Sequence, residues 1–222
     1  DVNITSAEGT KTKAKYEQAS EVDGVSKIKF AKTLPAGQYQ LVLDFNAAYD
    51  QQLDGIYKIE FEGKPYVMTQ MEAISARQSF PSFDEPRFKT PFNIRLTIPS
   101  KYSGFANTQQ TSEQAEKSGW KTLSFAQTKP LPTYLLALAV GPWQLQKGSD
   151  IGATSWRKQP IQLRGIAPGA KAEKMQHALS ETPAILKTLE DYFAFGYPFD
   201  KLDLLAAPDF AAGAMENPGL IT

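Results

Sequence analysis

The sequence predicts a mainly β fold, with an antiparallel sheet or sandwich first and the opening of an α+β module after it. Up to about residue 165, short segments alternate polar and apolar residues between Gly- and Pro-containing turns. This pattern is typical of antiparallel strands with one face buried. Residues 170–193 then carry a helical pattern, and residues 202–206 form a short apolar run that indicates a buried strand.

The predicted strands of the first part share a two-residue hydrophobic period or a short apolar run. They are residues 26–30, 38–45, 56–61, 92–98, 120–125 and 133–140. Proline or glycine lies beside several of them, as in the Pro35–Gly37 turn before the second. We expect these segments to pair as antiparallel neighbours.

The helical stretch has apolar residues three, four or seven positions apart, which is the spacing of one helix face. They are Met175, Leu179, Leu186, Leu189 and Phe193. Pro183 interrupts the stretch, so the helix either kinks there or gives way to a second helix nearby.

We place a domain boundary at the Gly-containing stretch that begins with Gly165, which divides the chain into residues 1–165 and 166–222. The second part is too short to bury a stable core of its own. We therefore expect the second domain to continue beyond Thr222.

Composition excludes several kinds of site. The 24 basic and 24 acidic residues balance, and this neutral charge argues against a dedicated nucleic-acid-binding protein. The chain has no cysteine and one histidine, His177, so it cannot form a disulfide or a zinc site with two His ligands. We interpret His177 as an ordinary helix residue.

No apolar run is long enough to cross a bilayer as a helix, and residues 1–20 are too polar for a signal peptide. The sequence is that of a soluble protein, with no predicted membrane span. It leaves the compartment unknown, since a chain without cysteine suits the cytoplasm or a bacterial periplasm equally.

The segment Gly213-Ala214-Met215-Glu216-Asn217 carries the strongest chemical signal. Its small residues predict a strand edge that another extended backbone could approach closely. Glu216 adds a carboxylate, so an extended peptide with a free ammonium end would be a fitting ligand. A small-residue packing loop with a solvated glutamate is the alternative.

A second segment, residues 69–89, is rich in charged and aromatic residues between prolines. Gln70 and Glu72 are two residues apart, so on a strand they would share a face and present an amide beside a carboxylate. The following Asp84-Glu85-Pro86-Arg87 predicts a turn with local ion pairing and a structural role.

Together these strings resemble the zinc aminopeptidase family of the aminopeptidase N type, the gluzincin aminopeptidases. Gly213–Asn217 matches that family's exopeptidase signature, in a setting that includes Lys201-Leu202-Asp203-Leu204 and Pro208-Asp209-Phe210. Thr69–Ala73 and the Phe80–Pro86 string match its N-terminal domain. The resemblance covers nearly the whole chain from about residue 25.

The resemblance implies a saddle-shaped β domain followed by the start of a thermolysin-like catalytic domain. It implies that Glu216 and Glu72 bind the α-amine of a peptide substrate, with Gln70 near the first side-chain pocket. Gly213 and Ala214 would line the substrate backbone, and we include Met215 and Asn217 among the substrate-binding residues of the signature.

The family's zinc motif, His-Glu-x-x-His with a distal Glu, is expected beyond Thr222. The resemblance therefore implies a fragment of a zinc-dependent metalloaminopeptidase that acts on peptides with a free N-terminus. This chain would contain no catalytic residue and no metal ligand, would be inactive alone, and would partner the remainder of the catalytic domain. The alternative is a non-catalytic relative whose β domain is a protein-interaction module.

Overall fold

A computed structural model describes residues 2–6, 9–20 and 24–222 of the chain. The predicted mainly β class is confirmed, since fifteen strands in four sheets and one α-helix make up the regular structure of this described part, apart from short 3₁₀ helices. Three of the sheets are antiparallel, and the last is mixed.

The first sheet has the strand order β3-β2-β1-β4 and is antiparallel throughout. Its strands are β1 (Val2–Ser6), β2 (Lys11–Ser20), β3 (Val25–Phe30) and β4 (Tyr39–Leu43). The strands predicted at residues 26–30 and 38–45 are therefore present, the second of them shorter than expected.

The next two sheets form the middle of the chain. One has the order β5-β6-β11-β8 and the other β7-β10-β9. Their strands are β5 (Gly55–Phe61), β6 (Lys64–Gln70), β7 (Arg95–Pro99), β8 (Ser103–Ala106), β9 (Gln110–Ala115), β10 (Trp120–Phe125) and β11 (Leu138–Gly141).

The strand predicted over residues 133–140 is wrong in its first half. Residues Thr133–Leu135 form a 3₁₀ helix, and the strand β11 starts only at Leu138. The Leu136 N–H donates to the Thr133 carbonyl, and this local hydrogen bond replaces cross-strand pairing. The strand predicted at residues 92–98 also starts later than expected, since β7 begins at Arg95.

The last sheet has the order β12-β13-β14-β15. Its strands are β12 (Trp143–Lys147), β13 (Gln162–Pro168), β14 (Lys201–Leu205) and β15 (Leu220–Ile221). β12 pairs antiparallel with β13, whereas β13, β14 and β15 run parallel. Gly165 lies within β13, so the predicted domain boundary between residues 165 and 166 falls inside a strand. The division into two domains at this position stays a prediction.

The helix α1 (Gln176–Phe193) connects β13 to β14 and follows a 3₁₀ helix at Gly169–Met175. It continues through Pro183 without a second helix starting there. Leu179 and Leu186 are buried, but Leu189 and Phe193 are exposed, so the predicted apolar stripe packs only over its first part. Packing of the buried residues stabilises the helix despite the missing Pro183 N–H.

One hydrophobic core joins the middle of the chain to its end. Tyr57, Tyr66 and Met68 of β5 and β6 pack in a single cluster with Ile166 of β13 and Leu220 of β15. Because all five side chains are buried, the antiparallel β5–β6 pair and the parallel strands hold a defined relative position.

Candidate functional site

The Gly213–Asn217 segment lies in the loop between β14 and β15, at residues where the structure shows no strand. The predicted strand edge is therefore wrong as secondary structure. The segment is still held in place, since the Met215 and Thr222 backbones exchange two hydrogen bonds of 2.8 and 3.2 Å.

A tight turn follows the segment. The Leu220 N–H donates to the Asn217 carbonyl at 3.1 Å, and Gly219 has a φ of +78°. Proline followed by a glycine with positive φ is the type II pattern. The chain reverses here instead of extending.

Exposure divides the segment into two groups. Gly213, Ala214 and Glu216 are exposed, whereas Met215 and Asn217 are buried, each with 1% of its surface exposed. The buried residues fix the loop, and the Glu216 carboxylate is presented to solvent between them.

An open depression of about 460 Å³ lies beside this loop. It is lined by residues 205–210 with Ala212, Gly213 and Thr222. The depression sits where β14 ends, and the carboxyl end of parallel strands is the usual place for a ligand in sheets of this kind.

Gln70 and Glu72 do not share a strand face, which corrects the sequence-based expectation. β6 ends at Gln70, and Glu72 lies in a turn whose peptide bond to Ala73 is cis. Gln70 is buried, with its Oε1 atom lacking a hydrogen-bond partner in the structure, whereas Glu72 is exposed.

The loop that carries Glu72 is fixed by a buried carboxylate. Asp84 accepts hydrogen bonds from the Arg77 backbone N–H at 2.9 Å, from Arg77 Nε at 3.1 Å and from the Thr133 hydroxyl at 2.5 Å. The neighbouring Glu85 and Arg87 form an exposed ion pair of 2.8 Å. The turn with local ion pairing predicted here is present, and Asp84 belongs to a separate, buried network.

We expect Asp84→Asn to destabilise the protein by about 2–3 kcal/mol, because three donors would lose a buried charged acceptor. The adjacent Glu85→Gln is the control, since loss of an exposed ion pair changes stability by about 0.5 kcal/mol at most. Urea unfolding of both variants measures the difference. Equal effects of the two substitutions would contradict the assignment of Asp84 to a buried network.

A second buried polar network holds the turn that follows Glu216. Lys201 donates to Asp203 Oδ2 at 2.8 Å and to the Gly219 carbonyl, and Arg164 binds Asp203 through two contacts of 2.6 Å. The Gly219 N–H donates to the Tyr197 hydroxyl at 2.7 Å. Burial lowers the pKa of Lys201 to about 8.

A buried amide also contacts this turn. Asn107 is fully buried and donates from Nδ2 to the Pro218 carbonyl at 2.9 Å. No sequence pattern marks Asn107, and none assigns a role to Lys201 or Arg164. A short polar side chain such as Asn107, at the end of a β strand, carries no signal that could have revealed a contact with Pro218, 111 residues away.

Comparison with known protein families identifies the chain. A family model described as the Peptidase M1 N-terminal domain matches residues 1–135, more than half of the chain. The chain belongs to the peptidase M1 family. A second model, described as the Peptidase family M1 domain, matches residues 177–222 of this M1 chain.

Three similar proteins illustrate the M1 relationship. Aminopeptidase M1-B of Oryza sativa subsp. japonica is 35% identical over 206 residues, covering 91% of this chain and 23% of that protein. Glutamyl aminopeptidase of Rattus norvegicus is 35% identical over 188 residues, covering 83% and 19%. Aminopeptidase N of Acetobacter pasteurianus is 31% identical over 220 residues, covering 96% and 59%.

This M1 chain thus spans about a fifth of the length of the plant and mammalian relatives and three fifths of the bacterial one. Within its described residues, no helix is long and apolar enough to cross a membrane.

Proposed function

We propose that this chain is the amine-binding part of a zinc-dependent aminopeptidase that removes N-terminal residues from peptides. Glu216 and Glu72 bind the free α-ammonium group of the substrate in this proposal. The observation that carries it is the exposed Glu216 carboxylate on a loop whose flanking residues Met215 and Asn217 are buried. Membership of the peptidase M1 family, with relatives named as aminopeptidases, supports it.

The space around Gly213 supports a role in binding a peptide backbone. A Cβ atom added at Gly213 would meet no atom within 4 Å, and its φ is not positive. The fold therefore does not require glycine at this position. A residue without a side chain leaves room for an extended substrate backbone beside residues 213 and 214.

Two carboxylates suit an ammonium group because hydrogen bonds between charged partners are short and strong. An ammonium group has three donors, so it can bind Glu216 and Glu72 at the same time. Such binding holds the first residue of a peptide in a constant position. Gln70, two residues before Glu72 at the end of β6, lies near the pocket for the first substrate side chain in this proposal.

The described residues do not fit a zinc site. Within residues 2–6, 9–20 and 24–222, no three His, Cys, Asp or Glu side chains lie close enough together to hold a metal ion. His177 is exposed on α1. In our proposal, the zinc ligands of the whole enzyme come from residues outside this chain, and the chain alone is inactive.

Binding of a simple amine tests the proposal. We expect the chain to bind L-alaninamide, which has a free α-ammonium group, and not N-acetyl-L-alaninamide, in which that charge is absent. Glu216→Gln should weaken binding about tenfold or more, because a charge-assisted hydrogen bond is lost. Titration calorimetry or NMR titration measures the dissociation constants.

Glu181→Gln is the matched control, since Glu181 is exposed on α1 and is not part of the loop that carries Glu216. Equal binding of the two amides by the unsubstituted chain would overturn the proposed amine site. That result would favour the interaction-module alternative.

A further inference from the structure

Asn107 uses all the hydrogen-bonding groups of its amide on backbone atoms from two regions. Its Nδ2 donates to the carbonyls of Leu135 and Pro218, both at 2.9 Å, and its Oδ1 accepts from the Ala137 N–H at 2.9 Å. The residue has 0% of its surface exposed. A fully satisfied buried amide has one orientation, so it fixes the distance between the segments that it joins.

One of these segments is the turn that follows Glu216. Pro218 is two residues after Glu216, and the backbone of Gly219 lies against that of Asn107. A Cβ atom at Gly219 would come within 1.9 Å of the Asn107 carbonyl oxygen. The side chain and the backbone of Asn107 thus both contact this turn.

The other segment supports the residues around Glu72. The Leu138 N–H donates to the Thr69 hydroxyl at 3.0 Å, one residue before Gln70. Leu136 packs in a buried cluster with Met71, directly before Glu72. The segment from Leu135 to Ala137, to which Asn107 binds, therefore contacts the end of β6 through the Leu136 carbonyl, which accepts from the Thr69 hydroxyl, and shares a cluster with Met71 through the Leu136 side chain.

We propose that Asn107 is a positioning residue that sets the spacing between the Glu72 and Glu216 carboxylates. This inference rests on the amine site proposed above. One ammonium group can bind both carboxylates only if they are held within about 0.5 Å of the required geometry. Glu72 and Glu216 are exposed on separate loops. The buried Asn107 hydrogen-bonds to Leu135 and Ala137, in the segment that supports the Glu72 loop, and to Pro218 in the Glu216 loop.

Methionine methyl signals provide the test, because Met71 precedes Glu72 and Met215 precedes Glu216. Both are buried, with 1% of their surface exposed. In an NMR titration with L-alaninamide, we expect the methyl signals of Met71 and Met215 to shift with one common dissociation constant. The side-chain amide signals of Asn107 should shift with the same constant, while Met175, which packs against other strands, should not respond.

Asn107→Ala and the similarly sized Asn107→Leu should weaken binding about tenfold, the size expected when buried hydrogen bonds are lost. Met71 and Met215 should then respond with different dissociation constants, because an ammonium group that cannot reach both carboxylates binds each of them as a separate site. Thr128→Val is the matched control, because Thr128 is buried and its hydroxyl accepts a hydrogen bond from the N–H of Phe92, a residue of neither loop.

A common constant for Met71 and Met215 in folded Asn107 variants would overturn the positioning role while leaving the amine site intact. If the variants do not fold, an unmoved Asn107 amide signal in the unsubstituted chain overturns it instead. Failure of L-alaninamide to shift either methyl signal in the unsubstituted chain would overturn the amine site, and the positioning role with it.

Discussion

Glu216→Gln in the enzyme proposed to contain this chain is expected to lower kcat/KM for unblocked aminoacyl substrates about 100-fold. This loss corresponds to an increase of about 2.7 kcal/mol in the activation free energy. Glutamine keeps the size of the side chain but removes the charge that binds the α-ammonium. Because Glu216 is exposed and Met215 and Asn217 hold the loop, the substitution should not unfold the protein.

Hydrolysis of L-alanine p-nitroanilide measures this effect, with Glu181→Gln as the control. The loss should be confined to catalysis, so the melting temperatures of both variants should match that of the unsubstituted enzyme. A kcat/KM unchanged by Glu216→Gln would contradict amine binding by this carboxylate.

Gly219→Ala is expected to destabilise the protein by about 4 kcal/mol or more. The new Cβ would lie 1.9 Å from the Asn107 carbonyl oxygen, a backbone atom that cannot move aside as a flexible side chain could. The φ of +78° adds further strain for any residue with a side chain.

Gly213→Ala is the matched control in the same loop. Its Cβ would meet no atom within 4 Å, so we expect a change in stability of about 1 kcal/mol at most. The two free energies of unfolding come from urea denaturation. Similar destabilisation by both substitutions would mean that the close contact between Gly219 and Asn107 is absent in solution.

Local patterns predicted the elements whose structure depends on local burial. The strand predicted at residues 120–125 has the bounds of β10, because its pattern matches a sheet with one buried face. The pattern over residues 133–140 failed, since it could not reveal that the hydroxyl of Thr133 binds the distant Asp84 and that Thr133–Leu135 form a 3₁₀ helix.

The candidate site, too, has features that a local pattern predicts and features that depend on distant contacts. The Glu216 segment could be recognised from its residues, but its conformation depends on contacts between distant parts of the chain. Asn107 binds Pro218 and Leu135, and Lys201 binds the Gly219 carbonyl. Such pairings arise only when several strands have assembled, so no short stretch of sequence contains the information.

The mixed sheet β12–β15 has a consequence for chimaeras made from two M1 relatives. A crossover between residues 165 and 166 would split β13 and separate Arg164 from Asp203, its partner on the neighbouring strand. A crossover at residues 141–142, between β11 and β12, takes all four strands from one parent. Hybrids joined there inherit the Arg164–Asp203–Lys201 network as a unit, whereas Glu72 and Asn107, which binds the Pro218 carbonyl, come together from the other parent.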